Sequence, residues 1–171
     1  MEKVTDETFI QTMMAEYPEL LTEEILDENV RYALEGYLYP ATYPFYEENP
    51  ALDEIVGAMI SSMNRMVLDY KEGYEKIQIQ GKPMTVHEFI TFASLLEEEA
   101  TATTDRETIA SVFYNRLDID MPLQTDPTVL YSLGEHKDRV YYKDLEVDSP
   151  YNTYKNTGLT PADRLSGQEL A

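Results

Sequence analysis

Along most of the chain apolar residues recur every three or four positions, and each run is cut short by a proline, a glycine or a capping pattern. A chain written this way folds as short packed helices, not as a sandwich or barrel of strands. Phe9, Ile10, Met13, Met14 and Tyr17 predict a first helix that stops at Pro18. Thr22 with Ile25, Leu26, Val30, Ala33 and Leu34 predicts a second, ending near Gly36. Asn49-Pro50 reads as an N-cap followed by proline in the first turn, opening a helix that carries Ile55, Val56, Met59, Ile60, Met63, Val67 and Tyr70 toward Gly73. Only residues 76–82 and 139–145 read as short strands. The expected fold class is α+β, predominantly helical. The strand-like link after Gly73 divides the chain into an N-terminal helical subdomain, 1–80, and a second subdomain, 81–171, that carries the motifs below.

Charge narrows the partners. The chain has 33 acidic and 13 basic residues, a formal charge of −20, with acidic residues spread through both halves. Nucleic-acid binding needs a basic footprint, and docking on anionic lipid needs one too, so neither is expected. Cysteine is absent and there are two histidines, His87 and His136, which removes thiol chemistry and disfavours an imidazole-built metal site; no cofactor is expected. Fourteen tyrosines and five phenylalanines provide the aromatic stock of a folded chain. No apolar run is long enough to span a bilayer, so any membrane anchor is expected outside this segment.

The residues with chemical potential begin at Thr85. Thr85-Val-His-Glu88 is a capping box, so a helix starts there. On a wheel of about 100° per residue, Val86, Phe89, Ile90, Ala93 and Leu96 form one apolar stripe, and Glu97 falls inside it while Glu98 and Glu99 fall outside. A carboxylate on an apolar face is desolvated, which favours its protonated form and suits a general acid. The alternative is a helix end that frays, leaving all three glutamates in water. The segment 101–104 breaks the pattern and puts Glu97 near a helix end. A second capping box, Thr104-Asp-Arg-Glu107, opens a helix with Ile109, Val112, Phe113 and Leu117 on one face and Arg116 beside them, placed to clamp an anion or to form a structural ion pair. Asp126-Pro127 then starts a short helix, with Gln124 and Thr125 in the loop before it. Residues 148–158 mix amides, hydroxyls and aromatic rings, a composition that suits sugar binding and equally suits an ordered loop. The stretch 37–46, punctuated by prolines and rich in tyrosine, is either a loop pinned by buried rings or a stacking wall for a ligand.

Several of these segments, in order, carry one resemblance. They are Leu34 to Tyr43 (Leu-Glu-Gly-Tyr-Leu-Tyr-Pro-Ala-Thr-Tyr), Ala93 to Glu99 (Ala-Ser-Leu-Leu-Glu-Glu-Glu), Ile109 to Leu117, Leu123 to Tyr131 (Leu-Gln-Thr-Asp-Pro-Thr-Val-Leu-Tyr), and Ser149 to Tyr154 with Gly158 to Pro161. Over residues 30–161 the chain resembles the endolytic murein transglycosylase family (MltG, YceG-like). The resemblance implies a lysozyme-like catalytic logic on peptidoglycan glycan strands, cutting the β-1,4 bond from N-acetylmuramic acid to N-acetylglucosamine and leaving 1,6-anhydro ends. By motif position it implies Glu97 as general acid and base. Gln124, Asp126, Tyr151, Asn152, Tyr154 and Arg116 are the candidate sugar-positioning residues. It also implies a membrane-anchored protein working on the extracytoplasmic face of a bacterial cell, with cell-wall synthesis proteins as possible company and no cofactor. The family's membrane helix and LysM-like region are not in this chain, which therefore reads as a catalytic fragment. The chain departs from the family pattern at Ser132, where glycine is usual, and in the tail after Pro161.

Three rivals stand beside this reading. A water-using muramidase would need a second carboxylate, for which Asp126 is the candidate. A non-catalytic wall-binding module would need no acid at all. A calcium-stabilised adhesion domain would use pairs such as Asp118 and Asp120, although that spacing falls short of an EF-hand loop.

Overall fold

The computed structural model describes residues 5–100, 103–134, 137 and 139–162. The expectations on residues 101–102, the Thr104 side chain, His136 and the tail 163–171 lie outside the described residues.

Helix α1, Glu7–Glu16, starts where Asp6 accepts the Phe9 N–H at 3.2 Å and buries Ile10 and Met13, as its spacing predicts. The helix predicted after Thr22 does not form. A 3₁₀ turn, Glu23–Leu26, is followed by turns. The physical reason lies in the side chains: Asp27 accepts both the Asn29 N–H, at 2.8 Å, and its carboxamide, at 3.0 Å, a local bond that competes with helix propagation. Gly36 then turns the chain at φ 84°, and Ile25, Leu34 and Tyr37 still reach the core.

Helix α2, Leu52–Asp69, buries Val56, Ile60, Met63 and Val67 along one face. It begins at Ala51, whose N–H the Glu54 carboxylate accepts at 3.1 Å, and not at Asn49-Pro50. A short helix α3, Lys71–Tyr74, follows. The first predicted strand is a minimal hairpin: β1, Gln78–Ile79, pairs antiparallel with β2, Lys82–Pro83, across Gln80 and Gly81, both at positive φ as a two-residue turn of this kind requires. The second predicted strand, 139–145, is absent. There the Asp144 carboxylate accepts the Tyr141 N–H at 2.9 Å and the Lys137 ammonium at 3.1 Å, fixing a turn that leads into a 3₁₀ turn, Asp144–Glu146.

Helix α4, Val86–Glu99, opens on the expected capping box: Thr85 accepts the Glu88 N–H at 3.1 Å and Glu88 accepts the Thr85 N–H at 2.8 Å. Helix α5, Thr103–Asp118, and helix α6, Asp126–Leu133, complete the set, α6 with proline in its first turn as predicted and Gly134 at positive φ closing it. Helix α4 contacts α3, α5 and α6. Two apolar clusters meet along it. One joins α1, α2 and the 20–37 segment to Val86 and Ile90; the other gathers Leu95, Phe113, Leu117 and Leu123. The architecture is predominantly helical α+β with one two-stranded sheet among the described residues. No helix among them is long and apolar enough to cross a membrane.

His87 ties three segments together. Its Nε2 lies 2.7 Å from the Pro161 carbonyl, which can only accept, so Nε2 donates there; the Tyr37 hydroxyl lies 2.6 Å from Nδ1. Tyr37 is thereby a buried pin of the tyrosine-rich stretch. Tyr39 and Leu38 pack against the core, while Tyr46 stands fully in solvent.

Candidate active site

Helix α5 ends in a tight loop that delivers Gln124 and Asp126. Arg116, on the last turn of α5, donates from Nη1 to the carbonyls of Pro122 at 3.2 Å and Leu123 at 2.5 Å, so it shapes this loop from behind. Gln124 sits in the left-handed region at φ 57°, exposed, with its N–H donated to the Thr153 carbonyl at 3.0 Å. Next comes a buried knot of threonines. Thr153 Oγ1 accepts the Thr125 N–H at 3.0 Å and lies 2.8 Å from Thr128 Oγ1 and 3.3 Å from Thr125 Oγ1. Thr128 in turn donates to the Thr125 carbonyl at 2.7 Å. This knot sews the start of α6 to the loop 149–156.

On the solvent side of the knot the same two segments present a pair of functional groups. The Tyr154 hydroxyl donates to Asp126 Oδ1 at 2.6 Å. Burial pushes the Tyr154 phenol up to about 12, helped by that bond, by the Asp126 charge and by the Glu99 charge, while Arg116 opposes. Helix α4 therefore brings the carboxylate of Glu99 within electrostatic reach of Tyr154, α5 brings Arg116, and α6 brings Asp126. Glu97 lies on the same last turn of α4 but is exposed, with no hydrogen bond or ion pair among the described residues. Residues two apart on a helix point about 200° from each other, so Glu97 and Glu99 face different sides of that turn.

The apolar stripe expected around Glu97 is not the buried face. Helix α4 buries Val86, His87, Ile90, Thr91, Ser94 and Leu95, while Ala93 and Glu97 are exposed and Phe89, Phe92 and Leu96 are half-covered. Of the polar residues turned inward, His87 is held by Tyr37 and Pro161 as above, Ser94 donates to the Thr91 carbonyl at 2.8 Å, and the Thr91 hydroxyl is buried with no hydrogen-bond partner among the described residues. The buried face is thereby rotated away from the predicted stripe, and the desolvation expected for Glu97 is absent from the free chain. On α5, Phe113 and Leu117 are buried as expected but Val112 is exposed.

Two candidate sugar contacts prove to be buried supports. Asn152 is 0% exposed; its carboxamide nitrogen donates to Leu145 and Val147 carbonyls at 2.9 and 2.8 Å, and its oxygen accepts the Tyr154 N–H at 3.0 Å. Tyr151 is 2% exposed, its phenol pushed up by burial, its hydroxyl accepting the Arg31 N–H at 3.2 Å. Both hold the loop that carries Tyr154, and neither has a free polar face for a sugar. Asp118, considered as a cation ligand, accepts the Gln80 N–H at 3.0 Å and fastens the hairpin to the end of α5. Ser132, where the family usually has glycine, donates to the Thr128 carbonyl at 2.8 Å within α6.

Sequence reasoning placed Thr125 in the loop and Glu99 off the apolar stripe but gave neither a role, and it passed over Thr128, Thr153, Arg31 and Glu35. Glu35 lay within the quoted Leu-Glu-Gly segment and could have been weighed; for Arg31 no sequence signal existed.

A domain of packed short helices, with acidic residues and tyrosine gathered between the ends of α4 and α5 and the start of α6, matches a known group. Residues 2–163 match the model of the YceG-like family, and the chain belongs to it. The chain is 56% identical over 159 residues to the endolytic murein transglycosylase of Bacillus subtilis (strain 168), covering 93% of this chain and 43% of that protein. It is 42% identical over 167 residues to the endolytic murein transglycosylase of Streptococcus pneumoniae serotype 2 (strain D39 / NCTC 7466), covering 94% of this chain and 29% of that one. A crystal structure of a YceG-like protein from Listeria monocytogenes superposes with a TM-score of 0.86 at 48% identity, covering 95% of this chain and 51% of that one. The chain thus spans less than half the length of the curated relatives it matches.

Proposed function

We propose that this chain is the catalytic part of an endolytic murein transglycosylase, cutting the bond from N-acetylmuramic acid to N-acetylglucosamine within peptidoglycan strands. The observation that carries the reading is the convergence of Asp126, Tyr154, Glu99 and Arg116 at the end of α4, on the turn that bears the motif glutamate, Glu97. The relatives' names support the same substrate.

Glu97 is the proposed acid and base. Its protonated carboxyl gives a proton to the glycosidic oxygen as the C1–O bond breaks. The resulting carboxylate takes the proton from the muramic C6 hydroxyl, and O6 closes on C1. The proton count balances without water, and O6 is already tethered to the ring it attacks. Because Glu97 stands in solvent in the free chain, the dry surroundings this step needs come from the glycan itself, which displaces water when it covers the end of α4. Gln124 and the Asp126–Tyr154 pair offer an exposed amide, a carboxylate and a phenol for sugar hydroxyls. Arg116, Tyr151 and Asn152 act one step back, holding the two loops. In the whole protein the site would work on the outer face of the cell membrane, alongside the cell-wall synthesis proteins.

Mass spectrometry of digested glycan strands tests the reaction. New ends lighter by one water than a hydrolytic product are expected. Reducing ends carrying oxygen from labelled water would replace the transglycosylase reading by the muramidase one, with Asp126 as second carboxylate.

A further inference from the structure

One structural unit lies outside the proposed chemistry yet grips both segments that carry it. Arg31 and Glu35 belong to the turn-rich stretch that replaces the second predicted helix. The Arg31 guanidinium lies over the Tyr131 ring, 4.5 Å from its centroid, and 5.9 Å from that of Tyr151. Its Nη1 donates to the Tyr131 carbonyl at 3.0 Å, and its backbone N–H donates to the Tyr151 hydroxyl. The Tyr131 hydroxyl donates to the Glu35 carboxylate in a short hydrogen bond. The two tyrosine rings pack with centroids 4.8 Å apart.

Tyr131 is on α6, five residues after Asp126, and Tyr151 is three residues before Tyr154. The gap between α6 and the loop 149–156 is therefore crossed three times: by the Tyr131–Tyr151 ring pair under Arg31 and Glu35, by the threonine knot, and by the Tyr154–Asp126 bond. The first of these crossings is gripped by residues about a hundred positions earlier in the chain. We propose that Arg31 and Glu35 are positioning residues that set the spacing of α6 and the 149–156 loop, and through it the Asp126–Tyr154 pair that receives the glycan. The inference rests on the reading of that pair as a sugar-binding element.

The mechanism gives it a specific signature. A cation over an aromatic ring, with a hydrogen bond to the adjoining carbonyl, is worth enough to move a loop without unfolding a domain. Arg31→Ala and Glu35→Ala should raise KM for purified glycan strands roughly tenfold while kcat changes by less than about threefold, the pattern of lost binding geometry. Glu35→Gln keeps an acceptor for the Tyr131 hydroxyl and should recover most of the loss. In a Tyr154→Phe background Arg31→Ala should raise KM little further, because residues acting through one another are not additive. Hydrogen exchange of the amides in 149–156 should quicken in Arg31→Ala while those of α2 keep wild-type protection. Unchanged KM with only kcat and melting temperature reduced, full additivity with Tyr154→Phe, or unaltered exchange in 149–156 would each overturn the proposal. If the wild-type chain neither cuts nor binds glycan, the sugar-binding reading fails, and the exchange measurement still decides whether Arg31 holds the loop.

Discussion

Replacing Thr153 by valine should be among the most damaging single-atom-scale changes in the molecule, because it empties the centre of the threonine knot while preserving shape. Thr153 Oγ1 is the acceptor for the Thr125 N–H, and Thr125 is 2% exposed, so water cannot step in. A buried donor left without a partner costs about 1–3 kcal/mol. The contacts to Thr128 and Thr125 hydroxyls are lost as well, though Thr128 keeps its bond to the Thr125 carbonyl, which limits the second contribution to about 1 kcal/mol. The total is about 3 kcal/mol, which for a chain of this size lowers the melting temperature by roughly 6–12 °C. Thr153→Ser removes only a methyl group and keeps every hydrogen bond, so it should cost about 1 kcal/mol. Thermal melts and urea midpoints of both variants measure the difference. Serine as damaging as valine would mean that packing, not the hydroxyl, joins α6 to the loop, and the account of how the site is assembled would be wrong.

Glu97→Gln should reduce glycan cleavage by roughly a hundredfold or more, the range lost with a general acid, with the circular dichroism and melt unchanged. Glu99→Gln should retain most of the activity while lowering the titration of the Tyr154 phenol; if the two variants exchange roles, the acid is the residue facing Tyr154 and not the motif glutamate. Stability should fall as pH rises from 10 toward about 12: the unfolded chain releases the Tyr154 proton near 10 while the folded chain retains it to about 12, so the contribution is complete below 10 and is lost across that window. Urea midpoints of wild type and Tyr154→Phe through this range check the sign, and a variant with an equally steep decline would remove Tyr154 from the explanation.

What could be read from residues alone was whatever depends on neighbours in the chain. The capping box at Thr85, the proline opening of α6 and the spacing of α1 and α2 are local patterns, and the structure contains each of them. Two of the failures share one cause, a side chain that found a better partner than the pattern assumed. Asp27 bonding Asn29 replaced a helix by turns, and Asp144 bonding Tyr141 and Lys137 replaced a strand. The orientation of α4 was misjudged for a related reason. An apolar wheel counts His87 and Ser94 as solvent-facing, but Tyr37 and Pro161, fifty and seventy-four residues away, make the inside of the protein the better place for His87. Tertiary partners of this kind leave no trace in periodicity. Glu97 became a candidate by two routes, an apolar wheel whose buried face the structure rotates away and its motif, and the geometry that would bind sugar, from Thr153 to the Asp126–Tyr154 pair, came only with the fold.

The ends of two helices show why the site is where it is. Asp126 stands in the first turn of α6, where the positive end of the helix favours a carboxylate. Local stability and the proposed role agree there. At the other side of the site the rule is broken: Glu97, Glu98 and Glu99 occupy the last turn of α4, at its negative end, with no basic residue in that turn. Each such placement costs a few tenths of a kcal/mol, and adjacent like charges add to it. A sequence selected for stability alone would put lysine or arginine at those positions. Conflicts between a local rule and the residue present concentrate where function overrides stability. The proposed site would make the last turn of α4 such a place, with Glu99 acting electrostatically on Tyr154 of the Asp126–Tyr154 pair and Glu97 standing in open solvent, where a glycan strand would lie.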